Sequence, residues 1–218
     1  MSDLFRPIDG LHGVYAAQWG KLHCVVLHLN DTDICLYSPI AGMGQAAREA
    51  LDQIGTCVAL IAPNHYHNKG LTEHVELFPK ARLIASAAAA PRLKKITGLD
   101  FEDMSALQRM LPGNVQTLEP AGLKTGEFWL SVTKGAETAW IVTDAFSSAH
   151  HPAGTDAKEP TLLGTFPKYG IKESAVFKAW VAQQLARQAP TLLLPCHGSP
   201  VKSPNLAVSM MRLLDRIP

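Results

Sequence analysis

Three short clusters in this chain combine side chains able to bind a metal ion or carry a proton. His65-x-His67 follows the apolar run Cys57–Ala62, Asp144 follows Trp140-Ile141-Val142-Thr143, and His197 follows Leu192-Leu193-Leu194-Pro195. Neutral imidazole together with carboxylate is the donor chemistry of a borderline cation such as zinc. Taken singly, a His-x-His is common, and either ring could cap a helix or bond to backbone. The same placement occurs three times, each at the end of an apolar run. Ligands at the carboxyl ends of strands can converge in one crevice even when distant in sequence.

Other candidates carry a structural reading. His150 and His151 fall in a long loop and read as solvated. His23 and His28 lie in a strand, at its edge or partly exposed, and His74 reads as the solvated face of a short helix. Cys196 neighbours His197 but reads as a buried thiol. For Trp129 and Tyr169 core packing is the default over a place lining the site. No Gly-rich phosphate loop, Gly-x-Ser-x-Gly turn or basic–aromatic surface for nucleic acid is present.

The elements that must position these residues alternate. Gly13–Gln18, His23–Leu29 and Ile34–Tyr37 read as strands, with turn chemistry at Asn30–Asp33. A helix is expected over Gln45–Ile54 with Gly55 as its cap, then a buried strand Cys57–Ala62, a short helix Leu71–Phe78 and a strand Ala81–Ala85. This strand–helix–strand series implies parallel pairing. Ala87–Ile96, broken by Pro91, and Glu102–Met110 read as helical. Strands return at Val115–Leu118, Phe128–Val132 and Ala139–Val142, with Gly135 at the turn. Phe146–Gly170 reads as a long loop that could shape access to a site. Ile171–Arg187 reads as a helix burying Ala175, Val176, Ala179, Trp180 and Leu185. Thr191–Leu194 is an apolar strand, and Asn205–Ile217 a closing helix with Pro204 at its start.

The length, 218 residues, suits one domain, taken as 1–218. A formal net charge of +1 gives no field that would draw the chain to nucleic acid or a membrane surface. Met1–Gly10 carries Asp3, Arg6 and Asp9 and lacks the apolar stretch of a secretory signal; a cytoplasmic protein is expected. Cys24, Cys35, Cys57 and Cys196 are scattered, so buried thiols are expected in place of disulfides or a metal cluster.

With these motifs in place, the chain resembles the metallo-β-lactamase superfamily. Asn64-His65-Tyr66-His67 is similar to the start of its His-x-His-x-Asp-His motif, Thr143-Asp144 to its metal-bridging Asp, and Cys196-His197-Gly198 to its last His. Leu77–Ala85 resembles the segment after the first motif. Tyr37-Ser38-Pro39-Ile40 and Ala62-Pro63-Asn64 look like an uncharacterised branch. The resemblance implies an αβ/βα sandwich of four layers, with two mixed sheets and helices outside. It also exposes departures. Lys69 and Gly70 stand where the motif's Asp and second His would be, and Leu123 stands near the place of a further His. The set carried over is therefore His65, His67, Asp144 and His197, with Asn68 or water able to complete a shell.

Two functions follow from the resemblance. The first is a metal-dependent hydrolase of an ester, lactone, thioester or phosphoester, with zinc first and iron or manganese behind it. His65, His67, Asp144 and His197 would be its metal ligands, and Asp144 would also orient the attacking water. The second is a degenerate site without metal, in which Lys69 supplies the missing positive charge. That pseudoenzyme would bind a small molecule or a protein partner without turnover. In a third reading the histidines only brace loops by hydrogen bonds. The expected ligand is a small molecule, with no nucleic acid and no membrane; the sequence carries no signal of oligomeric state.

Overall fold

The computed structural model describes residues 4–218; Met1–Asp3, the start of the stretch read above for a signal, lie outside it. The chain packs as two compact units that divide between Gly113 and Asn114.

The first unit is a mixed six-stranded sheet with helices. Its strands are β1 (Arg6–Pro7), β2 (Val14–Trp19), β3 (Leu22–His28), β4 (Asp33–Tyr37), β5 (Thr56–Ala62) and β6 (Arg82–Ala85), in that spatial order. β1 to β4 are antiparallel, and β4, β5 and β6 run parallel. The β3–β4 reversal is set by Asn30, whose Oδ1 accepts the N–H groups of Thr32 (2.9 Å) and Asp33 (2.8 Å). Across the sheet Val26, Leu36, Leu60 and Leu83 stand in register as one apolar row. The helices are α1 (Gly44–Leu51), α2 (Leu71–Leu77), α3 (Ala90–Thr97) and α4 (Met104–Gln108). Ala47, Leu51, Leu71 and Leu93 from the first three join that row in a single core. The near-continuous apolar runs of β4 and β5 are what buried parallel strands require.

The second unit holds a mixed five-stranded sheet. Its strands are β7 (Val115–Leu118), β8 (Trp129–Lys134), β9 (Glu137–Val142), β12 (Leu192–Pro195) and β13 (Val201–Lys202), in the order β13-β12-β9-β8-β7. β9 and β12 run parallel, and the other neighbours are antiparallel. A small ribbon, β10 (Ser147–Ser148) with β11 (Pro160–Thr161), and helices α5 (Phe166–Gly170), α6 (Ser174–Arg187) and α7 (Leu206–Leu214) complete it. The core is aromatic. Trp129 packs against Trp140, Phe146 and Trp180 with ring centroids 5.4–5.7 Å apart, and Phe166 packs on Phe177.

Several element boundaries differ from the sequence reading. α1 ends at Leu51 and is capped at Asp52, so Gly55 lies beyond a further turn. Pro91 opens α3 and does not break it, because proline fits a helix's first turn. The segment Phe146–Gly170 is not a structureless loop, since it carries β10, β11 and α5. α6 buries Phe177, Val181 and Leu185, spaced four residues apart, while Val176 is 42% exposed. Pro204 precedes the cap residue Asn205 and is not part of α7. The four cysteines are free and buried, as expected. Among the described residues no helix is long and apolar enough to cross a membrane.

Candidate metal centre

Strand register brings Asp144 and His197 together. β9 and β12 are parallel, with Val142 opposite Pro195. Each chain then runs two residues past its strand, so Asp144 and His197 emerge at the same level. The His197 Nε2 lies 3.0 Å from Asp144 Oδ1. The turn that carries His197 is strapped to β10: its carbonyl accepts from Ser147 Oγ (2.6 Å) and Ser148 N (3.2 Å), and Ser199 N donates to Ala149 O (3.0 Å). Gly198 holds a φ of +101°, and a Cβ there would lie 2.3 Å from Ser148 O, so only glycine permits this strapping.

A residue absent from the sequence reading supports the same strand end. Glu127 is 3% exposed. Its Oε1 accepts from Trp129 Nε1 (2.7 Å) and from the backbone N–H of Ala145 (3.2 Å), the residue after Asp144. Burial, then the neighbouring Asp144 charge, push its carboxyl well above the ordinary carboxylate range. The signal for it in sequence was slight. A glutamate in a Thr-Gly-Glu-Phe-Trp stretch reads as surface, because glutamate is seldom fully buried.

In the first unit, His65 and His67 sit on the loop that leaves β5. Asn64 is fully buried, and its Oδ1 accepts the N–H groups of Tyr66 (2.8 Å) and His67 (3.1 Å), which fixes the loop. Asn68 is used in the same bracing, with Nδ2 donating to His65 O (2.8 Å), so its amide is committed to the loop. The two rings meet different surroundings. His65 is buried and packs edge-on to Tyr66, with centroids 4.4 Å apart. His67 Nδ1 lies 2.7 Å from Ser38 Oγ, which fixes the orientation of the ring. Ser38 is the one non-glycine residue with positive φ, 61°, among the described residues. Its N–H remains bonded to Ile61 O (3.0 Å), so the sheet holds this unusual backbone. Lys69 is exposed. Gly70 is buried, and a Cβ there would lie 2.3 Å from Pro39 O; no side-chain ligand can stand at that position.

The chain thus carries a His/Asp/His set, His67, Asp144 and His197, of the donor types that zinc takes. The spacing inside the second unit fits such an ion. Zinc–ligand bonds of about 2.0–2.1 Å put tetrahedral ligands roughly 3.3 Å apart, close to the 3.0 Å between His197 Nε2 and Asp144 Oδ1.

The remaining histidines separate clearly. His150 is exposed and His151 half-buried. His23 is buried, although it pairs only with Gln18 of β2 and lies before the residues of β3 that pair with β4. His74 is also fully buried, correcting the solvated reading. Its Nδ1 lies 2.8 Å from Gly70 O, and burial lowers its pKa. Trp129 is core, while Tyr169 is half exposed. Cys196 is buried beside His197.

Two mixed sheets, each flanked by helices and each placing polar donors at strand ends, define the class: the chain has the metallo-β-lactamase fold. The particular likenesses are to solved structures. A metallo-β-lactamase from Pontibacter korlensis matches over 97% of this chain and 99% of its own, at 9% identity and a TM-score of 0.62. The metallo-β-lactamase FIM-1 from Pseudomonas aeruginosa, in its mono-zinc form, matches over 98% and 96%, at 15% identity and a TM-score of 0.64. The Flv1 flavodiiron core from Synechocystis sp. PCC6803 matches over 97% of this chain and 59% of its own, at 14% identity and a TM-score of 0.60. No protein-family model and no curated protein sequence matches the chain.

Proposed function

We propose that the protein is a metal-dependent hydrolase in which His67, Asp144 and His197 hold one metal ion, zinc in the first place and iron or manganese behind it. His65 is a further imidazole for the site. The observation that carries this reading is the Asp144–His197 pair, two metal-type donors turned toward each other at 3.0 Å by the register of parallel strands. The likeness of fold to a metallo-β-lactamase solved in a mono-zinc form and to a metal-soaked flavodiiron core supports it. With His67, Asp144 and His197 alone as ligands a fourth position would stay open, as catalytic zinc sites require, whereas His65 bound as well would fill the shell.

When bound, the ion supplies Lewis acidity toward a water molecule and a substrate carbonyl or phosphoryl group. The chain's own residues do the rest. Asp144 orients the water through its second carboxylate oxygen and accepts its proton. Ser38 holds the His67 ring in place, and the β10 strap holds His197. The substrate is a small ester, lactone, thioester or phosphoester. We place the protein in the cytoplasm, a reading supported by four buried free thiols. Burial pushes those of Cys24 and Cys57 up to about 12, which leaves them inert.

A second reading rests on Gly70. The close approach of Pro39 removes one customary ligand position outright, and Leu123 removes another. In this reading the protein binds a small molecule or a partner protein without turnover. Elemental analysis of protein purified without a histidine tag separates the two. Stoichiometric zinc, iron or manganese, lost in His67→Ala and His197→Ala, together with hydrolysis of model esters or thioesters, supports the hydrolase. Metal-free protein with no thermal response to zinc supports the second.

A further inference from the structure

We infer that Glu127 is a positioning residue for Asp144, riveting the backbone that follows that aspartate to the aromatic core. This rests on the metal-site reading above. Past Val142 the chain leaves the β9 ladder, so sheet pairing no longer fixes residues 143–145. One fixed anchor there is Glu127 Oε1, which accepts from Ala145 N at 3.2 Å. The same oxygen accepts from Trp129 Nε1 at 2.7 Å. Trp129 is fully buried and enclosed by Trp140, Phe146 and Trp180, so the indole is immobile. One carboxylate oxygen therefore ties the rigid core to the peptide next to Asp144.

A buried carboxyl is a poor device for stability alone, because an apolar side chain of similar volume often does as well or better. Its value here is geometric. Loss of the rivet frees the Ala145 N–H, lets the 143–145 turn relax, and turns Asp144 away from His197 Nε2. Outer-shell groups of this kind orient ligands without touching the metal.

The test compares Glu127→Gln, which keeps an Oε1 acceptor of the same reach, with Glu127→Leu, which removes it. Two signals are read. One is the His197 ring in long-range ¹H–¹⁵N spectra of metal-free protein, assigned by its loss in His197→Gln. The other is zinc affinity by competition with a chelating dye. The expected result is a shifted His197 ring signal in Glu127→Leu and zinc binding weaker by roughly 10–100-fold, with both restored in Glu127→Gln. An unchanged ring signal in folded Glu127→Leu overturns the inference, and so does a Glu127→Gln variant as impaired as the leucine one. If the wild-type protein binds no zinc, the metal reading falls. The ring signal alone then decides the role of Glu127. If Glu127→Leu does not fold, Glu127→Asp replaces it under the same two outcomes, because a side chain one methylene shorter cannot reach both donors.

Discussion

Ser38 concentrates the consequence of one hydroxyl. It sits at a positive φ that costs a non-glycine residue energy, of order 1–3 kcal/mol, and it presents its Oγ to His67 Nδ1 at 2.7 Å. Ser38→Ala keeps the backbone and deletes the bond. The expected outcome is zinc affinity lowered by roughly 10–100-fold at near-normal stability, read by metal competition and chemical denaturation side by side. Equal zinc affinity in the variant would refute the role. Gly70 makes the opposite kind of prediction. A Cβ there would lie 2.3 Å from Pro39 O and 2.7 Å from Pro39 C, against backbone that cannot swing aside. Gly70→Ala should cost about 1–3 kcal/mol in a urea titration, the usual scale of overpacking. The candidate donors were legible in sequence because each stands just past an apolar run. Ser38 and Glu127 were not, since nothing in the residue order tells that a serine enters left-handed backbone or that a glutamate is sealed beside a tryptophan.

Among the elements, α2 carries a buried imidazole with a definite pH signature. His74 is held at Nδ1 by Gly70 O and stacks near Phe78, and burial lowers its pKa while the Gly70 bond and Glu73 pull it back in part. The unfolded chain therefore takes up this proton first as pH falls below about 6.5. Stability from this group is intact above that pH and drains away as pH falls toward the folded-state value, at no more than about 1.4 kcal/mol per pH unit. His74→Leu should flatten the stability profile between pH 7 and pH 5 relative to wild type, measured by denaturation midpoints. Parallel profiles would show that His74 does not titrate in this way. The element was legible and its buried face was not. Seven residues with Glu73 and Glu76 among them look solvated, and only the packing of α2 on β5 reveals which side turns inward. α6 teaches the same lesson, because its apolar side chains wrap around the helix and packing alone selects Phe177, Val181 and Leu185.

For the whole molecule, the metal reading predicts that stability depends on free zinc. A ligand that binds only the folded chain stabilises it by about 2.7 kcal/mol at a hundred times its dissociation constant. For a chain of 150–250 residues each kcal/mol moves Tm by roughly 2–4 °C, so saturating zinc should raise Tm by roughly 5–11 °C. The cysteines oppose this. Cys24, Cys35, Cys57 and Cys196 are buried in the folded chain and become zinc-binding thiols once it unfolds. The rise should therefore reach its full size only at modest zinc excess and shrink, or reverse, at high excess. A variant lacking a ligand separates the two effects. In His197→Ala the stabilising term disappears while the thiols remain, so zinc should lower Tm at every concentration. A zinc-dependent rise of the same size in wild type and His197→Ala would place the metal elsewhere on the protein and remove Asp144 and His197 from its coordination.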